Sequence, residues 1–328
     1  MLTRNDLIRD PSLARRKALG CLSGLAIGDS FGDAGRIPEN HQNYGMLLGF
    51  DNGRAWSTDD TEFALFTAKM LIDHNGRPTY EELARGWLTY ISGQDEFPRG
   101  GNSEIDAAEN LKRGIMPPLS GKHSAYSFSD GACMRIAPVG IAAAGDTALA
   151  MELARTDAEV SHYRSGVWAA QAVAAAVATA MVSGTDEEII ASAMAAIPAD
   201  SWLYAGMKHM LELVELAKTD FCKAWMALHD DFRTRYKAAV EEAIPQAFAV
   251  FLLSDGDFKR AIILAANFGR DADTIGAIAG ALRGAQLGAD TIPQEWIERT
   301  GYPTGTCLKF TKGLSIRGIA EDLAALIR

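Results

Sequence analysis

Apolar residues recur at helical spacing almost from end to end of this chain, and the two-residue alternation of a half-buried strand is nearly absent. Leu19, Leu22, Leu25 and Ala26 form one stripe, Phe63, Ala64, Phe66, Met70 and Leu71 a second, and Leu83, Trp87, Leu88 and Ile91 a third. The same spacing predicts helices over 103–113, 147–155, 163–183, 186–196, 202–217, 236–252, 257–267, 274–287 and 316–327. Start signals agree with this reading. Thr79-Tyr80-Glu81-Glu82 has the form of a capping box, and Thr185 and Asp257 each follow a glycine at the head of a helical stripe. Irregular stretches over 35–57, 93–102 and 115–130 lie beside segments rich in acids, where long loops in a compact domain often carry function. With no linker, repeat or low-complexity tract, the pattern predicts one compact all-α domain over residues 1–328.

A chain of 328 residues, 48% hydrophobic, can bury a large core without disulfide staples. The net charge of −10 leaves no electrostatic footprint for nucleic acid, and the densest basic run, Arg15-Arg16-Lys17, reads as a solvated helix face. Cys21, Cys133, Cys222 and Cys307 are scattered, as in a reducing compartment, and no histidine can be assigned as a partner to make Cys133 a nucleophile. The most apolar run, Val167 to Val182, is shorter than a membrane span and reads as a buried helix. The polar N-terminus does not resemble a secretory signal, so the expected location is cytoplasmic, with no membrane partner.

Two acidic segments stand out. Ser57-Thr58-Asp59-Asp60-Thr61 precedes a helix, and a helix cap would account for one acid but not for both. Asp271-Ala272-Asp273-Thr274 precedes a second helix, whose Gly276, Ala277, Ala279, Gly280, Ala281 and Gly284 allow close packing on a neighbour. Hard divalent cations want several oxygen ligands, and the four carboxylates with the two hydroxyls of Thr58 and Thr274, completed by water, would suit two such ions. Asp29 and Arg135 each interrupt an apolar run, and an ion pair between them is one way to satisfy both.

Taken together, these segments resemble the ADP-ribosylglycohydrolase family. The resemblance runs over about residues 17 to 288: Gly28-Asp29-Ser30-Phe31-Gly32, Thr58 to Thr61, Gly101-Asn102-Ser103-Glu104, Gly131 to Pro138, Ser161-His162 and Gly269 to Thr274. It implies an orthogonal multi-helix fold with a binuclear metal centre. Two Mg²⁺ or Mn²⁺ ions would be held by Thr58, Asp59, Asp60, Asp271, Asp273 and Thr274. It also implies that Asp59 and Asp60 take part in catalysis and that Asp29, Gly101, Asn102 and Ser103 contact substrate, while Glu39 is the candidate for a further catalytic acid and Arg36 and Arg99 are candidates to contact an anionic part of the substrate.

The chain departs from the family pattern where an acid would stand near the metals: Arg36 and Arg99 occupy those places. Glu39, Asp33, Glu62, Glu96 or Glu104 could supply the missing acid. Alternatively the two arginines bind a phosphate or carboxylate, for which a planar fork is suited, or the chain binds its ligand without turnover. His162 reads as a core or helix-terminal histidine, while His123 and the loop aromatics Trp56, Tyr126 and Phe128 are candidates to line the mouth and stack a base. The expected activity is metal-dependent cleavage of the N-glycosidic bond of an ADP-ribosyl group, on a nucleotide-like small molecule or an ADP-ribosylated protein. A hydrolase of small ribosides and a non-catalytic nucleotide-binding module are the alternatives.

Overall fold

A computed structural model describes residues 2–50, 55–94, 97 and 99–328. Among these residues all regular structure is helical, and the only β contact is an isolated antiparallel bridge between Ser129 and Ala239. Helices form where the periodicity predicts them, among them Asn102–Lys112, Ser165–Met181, Asp186–Ala195, Trp202–Ala217 and Phe258–Ala266. The capping boxes at Thr79 and Thr185 are closed by Glu82 and Glu188, and Asp257 accepts from the Arg260 N–H.

Three differences from the sequence reading stand out. The helix expected over 236–252 starts only at Val240, because Thr234 and Tyr236 lock a turn through Thr234 Oγ1. Tyr236 and Lys237 are thereby left in a loop. The stretch 35–57 is not irregular throughout, since Pro38 opens a short helix, Pro38–Tyr44, from its favoured first position. A helix at Phe221–Asp230, capped by Asp220, was not predicted; it buries only Ala224 and Leu228, too thin a stripe to show in the sequence.

The packing that organises the rest is between Pro11–Gly35 and Ala272–Leu287, which run antiparallel with their backbones touching. A β-carbon placed on Gly20, Gly24, Gly28 or Gly32 would lie 2.3, 2.1, 1.9 or 2.1 Å from the carbonyl oxygen of Gly284, Gly280, Gly276 or Ala272, respectively. Contacts therefore recur every four residues, three of them glycine on glycine and the fourth Gly32 on Ala272, along about 18 Å of helix at the usual rise. No other residue permits this approach. Leu22, Leu25, Ile27, Ile275, Ile278 and Leu282 extend the contact into the main apolar core. Because the helices are antiparallel, the C-terminal end of the first, with Asp29, Asp33 and Arg36, lies beside the N-terminus of the second, with Asp271 and Asp273.

Gly28→Ala is expected to destabilise the protein by more than about 3 kcal/mol, since backbone rather than a flexible side chain must yield. Urea denaturation tests this; a loss under about 1 kcal/mol would mean that the helices separate easily.

Candidate functional site

The Asp59–Asp73 helix begins at the first acidic turn. Its N-cap residue, Thr58, does not cap it with its own side chain. The capping acceptor comes from a different helix. The fully buried Asp29 carboxylate accepts from the backbone N–H groups of Thr58 at 2.9 Å and Thr61 at 3.2 Å, and from their hydroxyls at 2.6 and 2.5 Å. Asp59 and Asp60 are thus not needed as caps and are free to face elsewhere. Glu62, one turn on, is also structural: it accepts from the backbone N–H groups of Thr306, Cys307 and Leu308 and from the Ser57 hydroxyl.

The second turn is shaped by two successive left-handed residues, Gly269 (φ 81°) and Arg270 (φ 58°). An arginine in that conformation is strained, and a two-pronged pairing holds it. Arg270 donates through Nε and Nη2 to the two oxygens of buried Glu242, at 2.5 and 2.9 Å. Asp271 occupies the N-cap of Ala272–Leu287, yet its side chain does not cap either.

Both turns open on one cavity of about 220 Å³, whose wall includes Asp59, Asp60, Asp271, Asp273 and Thr274. Thr274, in the second turn, lies close enough to Asp60 of the first to lower its pKa, so the two turns adjoin. Burial pushes Asp29 up to about 6. Burial, with Glu104 and Asp29 close by, raises Asp59 to about 7. Asp60 is raised well above the usual carboxylate range by burial and by Asp29, Asp59 and Asp271. Burial pushes Asp271 up as well, but Lys237, a protonated Asp130 and Arg36 together outweigh it and hold the group low. Asp60 Oδ1 and Asp273 Oδ1 are buried with no hydrogen-bond partner. Orphaned carboxylate oxygens in a closed acidic cleft are costly unless a cation satisfies them, so the donor set fits hard divalent ions. Among the described residues no three acidic, imidazole or thiol side chains are already grouped around a single point.

The family model for ADP-ribosylglycohydrolase matches residues 10–328. The chain belongs to the ADP-ribosylglycohydrolase family. It is 29% identical to an uncharacterised protein of Archaeoglobus fulgidus, over 94% of each chain. It is 26% identical to the ADP-ribosylarginine hydrolase Tri1 of Pseudomonas putida, over 89% of this chain and 76% of that one. Identity is again 26% to the ADP-ribosyl-[dinitrogen reductase] glycohydrolase of Rhodospirillum rubrum, over 86% of this chain and 90% of that one. A solved structure described as an ADP-ribosylglycohydrolase-related protein complex shares the fold, with a TM-score of 0.63 at 21% identity, over 97% of this chain and 100% of that one.

Within this member of the family the expected site residues fall into three groups. Asp59, Asp60, Asp271, Asp273, Thr274, Arg36, Arg99, Gly101 and Ser103 line the cavity. Asp29 and Thr58 lie behind its wall, so Asp29 positions the turn rather than touching substrate. Glu39 and Asn102 are exposed and off the wall. Glu39 is carried outward because Pro38 starts a new helix, which removes it as a catalytic acid in this arrangement. Glu96 lies outside the described residues. Asp33 is occupied by Arg99 and by Trp56 Nε1, which donates to it at 2.7 Å.

Arg135 does not pair with Asp29. It bridges buried Glu104 at 3.1 Å and Asp157 at 2.9 Å. The same arginine donates to the Ser161 hydroxyl, which contacts His162 Nδ1 at 2.7 Å. His162 Nε2 contacts Ser129, Ser129 donates to Ser103, and Ser103 donates to Glu104. Since the Ser129 proton goes to Ser103, His162 must donate from Nε2 and accept at Nδ1. The ring closes on Glu104, a carboxylate on the cavity wall. His162 is a buried neutral member of this network, its pKa driven well down by burial and by Arg135. His123 is exposed and away from the cavity. Tyr126 and Phe128 pack on Tyr236, with ring centres 5.4 and 5.9 Å away, and Tyr236 is the aromatic that reaches the wall. Burial places the Cys133 thiol far above its ordinary range, which leaves it inert.

Asp130, Tyr236 and Lys237 also line the cavity and were missed from sequence. Asp130 stands one position before the Gly131 motif, and Lys237 lies in the turn mistaken for helix.

Asp29, Asp59, Asp60 and Asp130 are all raised, so the metal-free folded protein holds protons that the unfolded chain has released. Their contribution to stability is complete below the unfolded value near 4 and is lost as pH rises through about 6 and about 7. The melting temperature of EDTA-treated protein should therefore fall from about pH 5 to about pH 8, and Asp59→Asn should flatten the slope. A rise over that window that Asp59→Asn leaves unchanged would contradict these assignments.

Proposed function

We propose that the protein is a metal-dependent hydrolase that cleaves the N-glycosidic bond of an ADP-ribosyl group. The observation that supports this most is the convergence of both acidic turns on one cavity, each with an orphaned carboxylate oxygen. Asp59, Asp60, Asp271, Asp273 and Thr274 frame the site at which divalent metal, Mg²⁺ or Mn²⁺, would be held, with Thr58 in the layer behind them. Such ions, when bound, orient a sugar and lower the pKa of water.

The chain's own residues supply the rest. Cleavage passes through an oxocarbenium-like state, which a wall of carboxylates stabilises. Glu104, fixed by Ser103 and Arg135, is the acid that the cavity offers in place of Glu39. Arg99, exposed on the rim and oriented by Asp33, suits an anionic group such as a pyrophosphate. Tyr236, backed by Tyr126 and Phe128, offers a face for a base. The relatives that are named for ADP-ribosylarginine and ADP-ribosyl-[dinitrogen reductase] support an arginine-linked substrate, free or on a protein. The four cysteines are unpaired, and among the described residues no helix is long and apolar enough to cross a membrane.

A second reading, hydrolysis of small ribosides, is favoured by the cavity's size. At about 220 Å³ it is smaller than most small-molecule pockets, which begin near 300 Å³.

Assay of ADP-ribosyl-arginine beside simple ribosides, with and without Mg²⁺ or Mn²⁺, separates the two readings. Asp273→Asn is expected to lower turnover by more than about 100-fold with the fold intact. Full activity in that variant, or in EDTA-treated enzyme, would refute the metal-dependent reading.

A further inference from the structure

The two acidic turns differ in what neutralises them. Asp271 accepts from Lys237 Nζ at 2.6 Å and lies 3.6 Å from Arg36 Nη1, which also donates to Asp273 Oδ2. Two carboxylates thus meet two side-chain cations. Arg36 is placed there by the fold: it is the C-cap of Pro11–Gly35, where the negative end of the helix favours a cation, and Asp33 flanks its other nitrogen at 3.6 Å. Asp59 and Asp60, across the cavity, have no cation in salt-bridge contact among the described residues. The unpaired carboxylate oxygens on the cavity wall are Asp60 Oδ1, Asp130 Oδ2 and Asp273 Oδ1, and only those of Asp60 and Asp273 belong to the two acidic turns.

Arginine keeps its charge at any working pH, so Arg36 cannot vacate the turn by losing a proton. A second divalent ion at Asp271 and Asp273 would have to enter against the charges of Arg36 and Lys237. An ion between Asp60 Oδ1 and Asp273 Oδ1 meets the uncompensated carboxylate of Asp60 and the one free oxygen of Asp273.

We propose that Arg36, with Lys237, is the resident counter-ion of the Asp271–Asp273 turn, and that the chain loads a single divalent ion on the unpaired oxygens of Asp60 and Asp273. This rests on the metal dependence proposed above and sets its stoichiometry. The guanidinium stands in for the other ion of a binuclear centre.

Full-length protein stripped with EDTA would be titrated with Mn²⁺ by calorimetry, and the loaded protein examined by electron paramagnetic resonance. Wild type is expected to bind one Mn²⁺ per chain and to show the hyperfine-split spectrum of an isolated ion. Arg36→Glu, and separately Arg36→Ala combined with Lys237→Ala, should admit a second ion and convert the spectrum to a spin-coupled pair. The single substitution keeps the test available if the double variant fails to fold, and circular dichroism checks both. Two ions in wild type, or one ion still in both folded variants, would overturn the counter-ion assignment while leaving metal dependence standing. Absence of any Mn²⁺ binding would overturn both.

Discussion

Backbone contact between two glycine-lined helices is the constraint on which the site depends. Gly28 and Gly276 approach so closely that a single methyl would strike a carbonyl oxygen at 1.9 Å. That contact fixes the sliding register of Pro11–Gly35 against Ala272–Leu287, in steps of one turn. Register in turn decides which acids meet. Asp29 is brought under the Thr58–Thr61 turn, and Asp33 and Arg36 beside Asp271 and Asp273. Both acidic turns are helix N-termini, where the helix dipole lessens the cost of gathering carboxylates. The site is therefore assembled from distant segments by packing, with Asp29 serving as the cap that its own turn lacks.

Charge is distributed unevenly across the cleft. Around Asp271 and Asp273 the protein brings its own cations, and Asp271 stays low despite burial. Around Asp59 and Asp60 it brings none in contact, and their carboxyls are driven up. The Glu104 wall is different again: Arg135 and a serine–histidine ring satisfy it completely, so it is rigid and polar rather than hungry for a cation. One cleft thus holds a satisfied carboxylate, a compensated pair, an uncompensated pair and Asp130 with one unpartnered oxygen, a pattern that suits a binding site more than a structural one.

Much of this was legible in the sequence, because its signals are local. Helical stripes, the Thr79 and Thr185 capping boxes, the small residues of Ala272–Leu287 and the two acidic turns are read from neighbours within a few positions. What was not legible was set by tertiary partners. Asp29 and Arg135 both looked like buried charges in need of each other, yet Asp29 is satisfied by a helix terminus and Arg135 by Glu104 and Asp157. Glu39 seemed near the metal because it is near Gly32 in sequence, but the chain turns away at Pro38. Lys237 was hidden in what read as helix, and its role follows only from the turn that Thr234 imposes before Val240.

The account requires that Asp60 and Asp273, more than two hundred positions apart, share a cation. Anomalous scattering from crystals grown with Mn²⁺ measures this directly. The expected result is a manganese peak in contact with both carboxylates, at the meeting of the two helix N-termini. A peak bound to only one of the turns, or none in the cleft at saturating Mn²⁺, would contradict it.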